Sequence, residues 1–472
     1  MSAATGRGSR RSRRVAVGAV VLACLVILTL LLVVRWHNPQ PYSGDEPHYL
    51  LLTNSLFIDG DVDVKSDYLT GRYYGYFPYL IDPHVNWHIF TSESPHWYSQ
   101  HPIGLPVLLV PAVIVADARG ATVAMVVIAV LVLLLAFLWA RRFTGEAVFA
   151  AIAAGALGLS PSFLGLQGRI FPDLPLAALL LGCLLLLEMR ERRPWQLLLL
   201  GTLVGVSPWF HLKDMPAFAT VAAIALAQVV CRATGSERIR HLLLLSIPVV
   251  VSVIAFEVSV RAWYGSWLPT RMVGTDSETF ALSVPRGLAA ASFDSARGLF
   301  THNPALLLIL AGLPVWLRLW RGPFLRLVLV IGPSILIQAT YSNWYAAYSP
   351  AGRYALEFTP ALIPAIALLL REAPAAFRVL AGVLLGLQWA LGAAFVWLSP
   401  PWGFVGERSP FLAAMDDRLG VALDSWMPAF DLHAGLVRGG WQLAAWVAVA
   451  GVLIAYGAHL SRGGPCADRR TG

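Results

Sequence analysis

The chain has 472 residues, 57% of them hydrophobic and only 13% charged, with a mean hydropathy of +0.65. A soluble domain carries roughly 25% charged residues, so an ordinary globular enzyme is excluded and a polytopic membrane protein is indicated. The formal net charge of +8 invites a nucleic-acid reading, but the placement of the arginines argues against it.

Val15 to Val34 carries no charge, and its helical length of ~30 Å at ~1.5 Å per residue matches the hydrocarbon thickness of a bilayer. The stretch RRSRRVAVGAVVLAC also fits a secretion signal with a lipoprotein-like cysteine at Cys24. The apolar run continues past Cys24 to Val34 with no small-residue cleavage site, which favours an uncleaved first span. Further runs recur near 120–140, 147–160, 174–188, 195–210, 215–230, 242–261, 303–317, 324–341, 354–370, 377–398 and 441–459, giving about twelve spans in an all-α fold.

Arginine clusters punctuate every second connection: Arg7/Arg10/Arg11/Arg13/Arg14, Arg141/Arg142, Arg190/Arg192/Arg193, Arg232/Arg238/Arg240, Arg318/Arg321/Arg326, Arg371/Arg378 and Arg462/Arg469/Arg470. By the positive-inside rule these connections and both termini are cytoplasmic in a cell-membrane protein. The basic balance is then mostly topology, and no nucleic-acid partner is expected. The same rule decides HPIGLPVLLVPAVIVA, His101 to Ala116: as a span it would move every later cluster outside. It is therefore expected as a juxtamembrane or re-entrant helix, which its length and three prolines allow. Cys24, Cys183, Cys231 and Cys466 are scattered, with none in an outer loop, so neither a disulfide framework nor a cysteine metal site is indicated.

The predicted cytoplasmic connections are short, whereas the outer ones include 35–119, 262–302 and 399–440. Chemistry is therefore expected on the outer face. Three regions follow: a basic terminus 1–14, a transmembrane module 15–398 with outer loop 35–119, and 399–472 with an outer loop, last span and tail. No internal repeat, phosphate-cradling glycine loop or dinucleotide fingerprint is present, so nucleotide-driven chemistry is unsupported.

YSGDEPHYLLLTNSLF, residues 42–57, sets Asp45 and Glu46 side by side just beyond the first span. Ser43 or Asp45 can cap a helix whose first turn holds Glu46 and Pro47. Capping explains Asp45 as well as catalysis does on these residues alone.

A first span followed by a Gly-Asp-Glu acidic motif that opens an outer juxtamembrane helix resembles the GT-C superfamily of integral-membrane glycosyltransferases. That superfamily includes the protein O-mannosyltransferases and the aminoarabinose transferases that modify lipid A. Further elements occur in matching order: QHPIGLP (100–106), GRIFPDLPLAALL (168–180), FDSARGLFTHNP (293–304) and SPAGRYALEFTPAL (349–362). The resemblance covers residues 15 to about 370. It departs at His101, near which the aminoarabinose transferases carry a lysine.

The resemblance implies a sugar donor on a polyprenyl-phosphate carrier, a lipid, glycan or protein acceptor, and transfer beside the bilayer. Displacement at the anomeric carbon needs a carboxylate to take the acceptor's proton and cations to stabilise the leaving phosphate. Asp45 is the implied base. Glu46 is either its partner or a capping residue, and Asp173 either pairs with Asp45 or caps the span that follows. Arg353 is the implied phosphate ligand, against an interfacial anchor as the alternative. Lys213, one of two lysines with Lys65, either contacts phosphate or pairs with Asp214. His101 is a further candidate, and Arg169 and Arg297 are weaker ones.

Asp82, His84 and His88 could put two histidines one helical turn apart and hold a divalent metal. Pro83 interrupts that helix, so isolated surface histidines are the plainer reading, and no metal or other cofactor is assigned. Glu257 and Glu357 lie in apolar runs, where an acid is costly and often functional; both also fall near predicted outer ends, where interfacial placement suffices. A transporter or flippase is the rival class, disfavoured by the missing repeat and by titratable groups that crowd one edge.

Overall fold

The protein is all-α, 75% helical in the computed structural model. The described residues are 42–81, 88–90, 95–272, 280–400, 408–431 and 433–463, with scattered helical positions between 18 and 33. Most of the first apolar stretch, Cys24, Cys466, Asp82 and His84 lie outside them.

Each of the eleven later apolar stretches coincides with a helix. After the juxtamembrane helix α1 (Glu46–Asn54) come α2 (Gly104–Thr144), α3 (Ala147–Gly158), α4 (Asp173–Leu187), α5 (Pro194–Val206) and α6 (Met215–Arg232). Then follow α7 (Gly235–Tyr264), α8 (Leu308–Leu319), α9 (Arg321–Thr340), α10 (Thr359–Glu372), α11 (Ala375–Leu398) and α12 (Gly440–Gly463). Among the described residues, six helices are long and apolar enough to cross a bilayer: α2, α6, α7, α9, α11 and α12. The other five have 12 to 15 residues. At ~1.5 Å per residue they reach ~18–22 Å, short of a ~30 Å core, so the twelve apolar runs are not twelve equal spans. The described sheet content is two antiparallel hairpins, β1 (Ile89–Phe90) with β2 (Tyr98–Ser99) and β3 (Ala429–Phe430) with β4 (Leu436–Arg438).

Of the His101–Ala116 segment, the part from Gly104 onward forms the start of α2 and is set off from the rest by a break at Ala116 and Asp117, where φ is −149° and 51°. Its Leu105, Leu109 and Val113 pack with Tyr49 and Leu50 of α1 and with Ile170. At the bundle's centre, α10 is buried along most of its length and packs on α2, α3 and α8. Small residues let the helices approach closely: a Cβ at Gly201 of α5 would lie 2.2 Å from the Leu245 carbonyl oxygen of α7. On its other side α7 exposes Ile247, Val250, Val251, Ile254 and Val258, a stripe suited to lipid.

The basic connections meet at one end of the bundle. Arg326 grips Glu188 in a fork of 2.7 and 2.6 Å, and Arg142 donates to the Glu188 carbonyl. Arg371 donates to the Thr144 carbonyl (2.9 Å), Arg232 to that of Arg190 (3.3 Å) and Arg318 to that of Leu460 (3.2 Å). These arginines cap carbonyls at helix C-termini, where positive charge is favoured. Asp173 begins the helix that ends at Leu187, next to Glu188, so it stands ~22 Å away at the opposite end.

Candidate active site

At that opposite end, four helix starts converge: α1 at Glu46, α4 at Asp173, α6 just after Lys213, and the short helix Arg353–Leu356 that leads into α10. Two glycines permit the turns. Gly44 has φ +61°, and a Cβ there would lie 3.1 Å from Tyr348 Cβ; Gly352, at φ +71°, precedes Arg353. Only glycine adopts such angles without strain.

Asp45 occupies the N-cap of α1, yet its side chain makes no capping hydrogen bond. The carboxylate is turned to Arg353, whose Nη2 donates to Oδ2 at 3.1 Å. Oδ1 lies 4.0 Å from His88 Nδ1. Burial would raise this carboxyl, but Arg353, with His101 and His88, holds it well below the usual carboxylate range. The side chain is 24% exposed, so a substrate can reach it.

Asp173 is fully buried and doubly paired: Lys213 Nζ lies 2.8 Å from Oδ1 and Arg353 Nε 2.9 Å from Oδ2. The N-cap of α4 is Pro172, not Asp173. Arg353 thus bridges two carboxylates, with its guanidinium carbon 3.8 Å from the centre of the Phe171 ring. Lys213 reaches Glu357 at 3.0 Å and lies 4.7 Å from the centre of the Tyr354 ring. Of the two readings of Lys213, a phosphate contact or a pair with Asp214, the second is replaced by ion pairs to Asp173 and Glu357.

Glu46 is fully buried, and its bonds run to Ser43, Arg169 and Ile170, not to Asp45 or the amides of α1. Oε2 accepts from the Ser43 amide (2.9 Å) and faces Arg169 Nη1 (3.0 Å), and Oε1 accepts from the Ile170 amide (3.0 Å). Arg169 also donates to Ser43 Oγ at 2.8 Å. The pair is a strut between the α1 turn and the 169–170 turn ahead of α4. Replacing one member of a buried pair costs about 3–5 kcal/mol, because the other charge is left uncompensated. Glu46→Gln should therefore lower the thermal midpoint markedly in purified protein; an unchanged midpoint would show that the pair is not a strut.

His101 and His88 stand beside Asp45, their Nε2 and Nδ1 atoms 2.9 Å apart. Burial pushes the His101 imidazole down to about 3, against the pull of Asp45, and likewise lowers His88. Both rings are neutral at neutral pH and offer lone pairs or N–H groups to a ligand, but no charge. Arg297 braces the site from behind: its Nη1 donates to the Ser349 carbonyl (3.2 Å), and its own carbonyl accepts from the Gly352 amide (2.8 Å). Asp294 of the same motif accepts from the Ala296, Arg297 and Phe430 amides and so ties this turn to β3.

The structure therefore brings together Asp45, Glu46, His101, Arg169, Asp173, Lys213 and Arg353. Sequence reasoning did not put His88, Phe171 or Tyr354 in the same group. Glu357 carried a signal, an acid inside an apolar run, but was read equally as interfacial.

No protein-family model and no curated protein matches the sequence. Among solved structures, the chain superposes on the aminoarabinose transferase ArnT from Cupriavidus metallidurans bound to undecaprenyl phosphate, with a TM-score of 0.52. That match has 14% identity and covers 94% of this chain and 75% of that one. The apo state of the same protein gives 0.52 at 15% identity, covering 98% and 76%. The chain has the GT-C fold. An archaeal oligosaccharyltransferase, AglB from Archaeoglobus fulgidus in complex with an inhibitory peptide and a dolichol-phosphate, aligns at 0.43 with 14% identity over 94% of this chain and 55% of its own. In this chain the carboxylates and cations gather where the four helix starts meet, opposite the arginine-capped end.

Proposed function

We propose that the protein is a membrane glycosyltransferase that moves a sugar from a polyprenyl-phosphate carrier to a cell-envelope acceptor. Residues 15–398 form its catalytic module, and the site lies on the outer face of the plasma membrane with both termini inside. The observation that carries this reading is the partly exposed Asp45 carboxylate, bonded to a buried arginine that is itself anchored on Asp173.

In this reading the acceptor hydroxyl gives its proton to Asp45 as its oxygen attacks the anomeric carbon. The bond from that carbon to the phosphate oxygen breaks, and its electron pair leaves with the phosphate. Arg353 stands between base and leaving group. A phosphate that shares its guanidinium draws charge from Asp45, and the carboxylate becomes more basic in the complex than in the free protein. Asp173, inaccessible and doubly paired, positions Arg353 and Lys213 instead of touching substrate.

The fold match to a protein solved with undecaprenyl phosphate supports the carrier class. The test is to incubate purified protein with a panel of polyprenyl-phosphate sugars and membrane extract and to read products by mass spectrometry. At least one donor should be consumed with a glycosylated product formed. Solute flux in proteoliposomes with no donor consumed would instead favour a transporter.

A further inference from the structure

Asp45 at the start of α1 and His88 and His101, which flank the β1–β2 hairpin, bring one donor atom each into a common space, all within 4.8 Å of one another. His88 Nδ1 lies 2.9 Å from His101 Nε2 and 4.0 Å from Asp45 Oδ1. A tetrahedral ion with bonds of ~2.0–2.1 Å holds its ligands roughly 3.3–3.4 Å apart, so this triangle closes on an ion with small side-chain adjustments. The rings are held by packing: His48 stacks on His88 with centroids 4.1 Å apart, and Tyr49 lies 4.5 Å from His101. The far oxygen of Asp45 is fixed by Arg353, as outer partners commonly fix a ligating carboxylate.

The charge balance points the same way. Arg353 faces two carboxylates, Lys213 faces two and Arg169 one. A phosphate entering beside Asp45 therefore meets three cations whose charge is already matched. A divalent ion would supply the uncompensated positive charge that the leaving phosphate needs.

We infer that Asp45, His88 and His101 bind a divalent transition-metal ion whose open position takes an oxygen of the donor phosphate. Two imidazoles and a carboxylate favour zinc over magnesium or calcium, and three protein ligands with an open fourth position is the pattern of catalytic zinc. The ion's role rests on the transfer reading above. Asp45 divides its oxygens: Oδ1 faces the ion, while Oδ2 faces Arg353 and keeps a second lone pair for the acceptor's proton.

The experiment uses tag-free full-length protein in detergent, stripped with EDTA and titrated with Co²⁺. One Co²⁺ per chain should bind, with the visible absorption of a tetrahedral site, and Zn²⁺ should displace it. His88→Ala and His101→Ala should each weaken binding by at least about tenfold, since even outer partners of a metal ligand contribute that much. His96→Ala, a ring paired with Asp63 outside the cluster, should leave it unchanged. No stoichiometric binding, or undiminished binding in the His88→Ala/His101→Ala double variant, overturns the site. Full-rate sugar transfer by stripped protein that binds no Co²⁺ sinks the metal and leaves the transfer reading standing. Binding through these residues without transfer from any polyprenyl-phosphate sugar does the reverse.

Discussion

Asp45→Asn is expected to remove transfer while leaving the protein folded. A positioned base contributes about 10²–10⁴-fold, so turnover should fall by at least that range. Stability should change little, because the asparagine side-chain oxygen still accepts from Arg353 Nη2 and the site is partly open to water. Asp173→Asn should behave differently. That carboxylate is fully buried and holds Lys213 and Arg353 together, so its loss should lower the thermal midpoint as well as the rate. The informative measurement is the pair of rate and midpoint for each variant. Near wild-type turnover in well-folded Asp45→Asn protein would sink Asp45 as the base, and a midpoint loss equal to that of Asp173→Asn would make it a structural ion pair.

The difference between these two aspartates was not legible in the sequence, where both head a helix and both satisfy a capping rule. What the chain did disclose was periodic or ordered: the apolar runs, the alternating arginine clusters, and a succession of motifs at 44–46, 100–106, 168–180 and 349–362. Those patterns follow from local physics, a bilayer's thickness and the cost of moving arginine across it. The pairing of charges is a matter of tertiary geometry, which spacing does not encode. Lys213 has a carboxylate as its chain neighbour, Asp214, and still reaches across to Asp173 and Glu357. The twelve apolar runs illustrate the same boundary, since hydropathy records that a segment is dry without distinguishing a lipid-facing helix from one such as α10 that is enclosed by other helices. His88 was weighed with Asp82 and His84, its neighbours in the chain, whereas the fold brings it beside Asp45 and His101.

Arg353→Met should lower stability by about 3–5 kcal/mol, because it strips a buried cation from between two carboxylates. Lys213 and Glu357 make the consequence separable. With Arg353 gone, Asp173 retains only Lys213, and the cluster carries an excess of negative charge. Adding Asp173→Asn removes that excess, while Lys213 keeps Glu357 as its partner at 3.0 Å. The double variant should therefore be more stable than the sum of the two single losses predicts, with a coupling of about 1–3 kcal/mol. Arg353→Lys should restore charge but not geometry, since an ammonium cannot span Nε and Nη2 contacts to different carboxylates while lying flat on Phe171. If Arg353 also meets the donor phosphate, the surviving activity of the lysine variant should show a raised KM for the lipid-linked donor with little change in that for the acceptor. Strict additivity in the double variant would mean that the two residues do not act as one unit. Equal changes in both KM values would mean that Arg353 holds the site together without touching the donor.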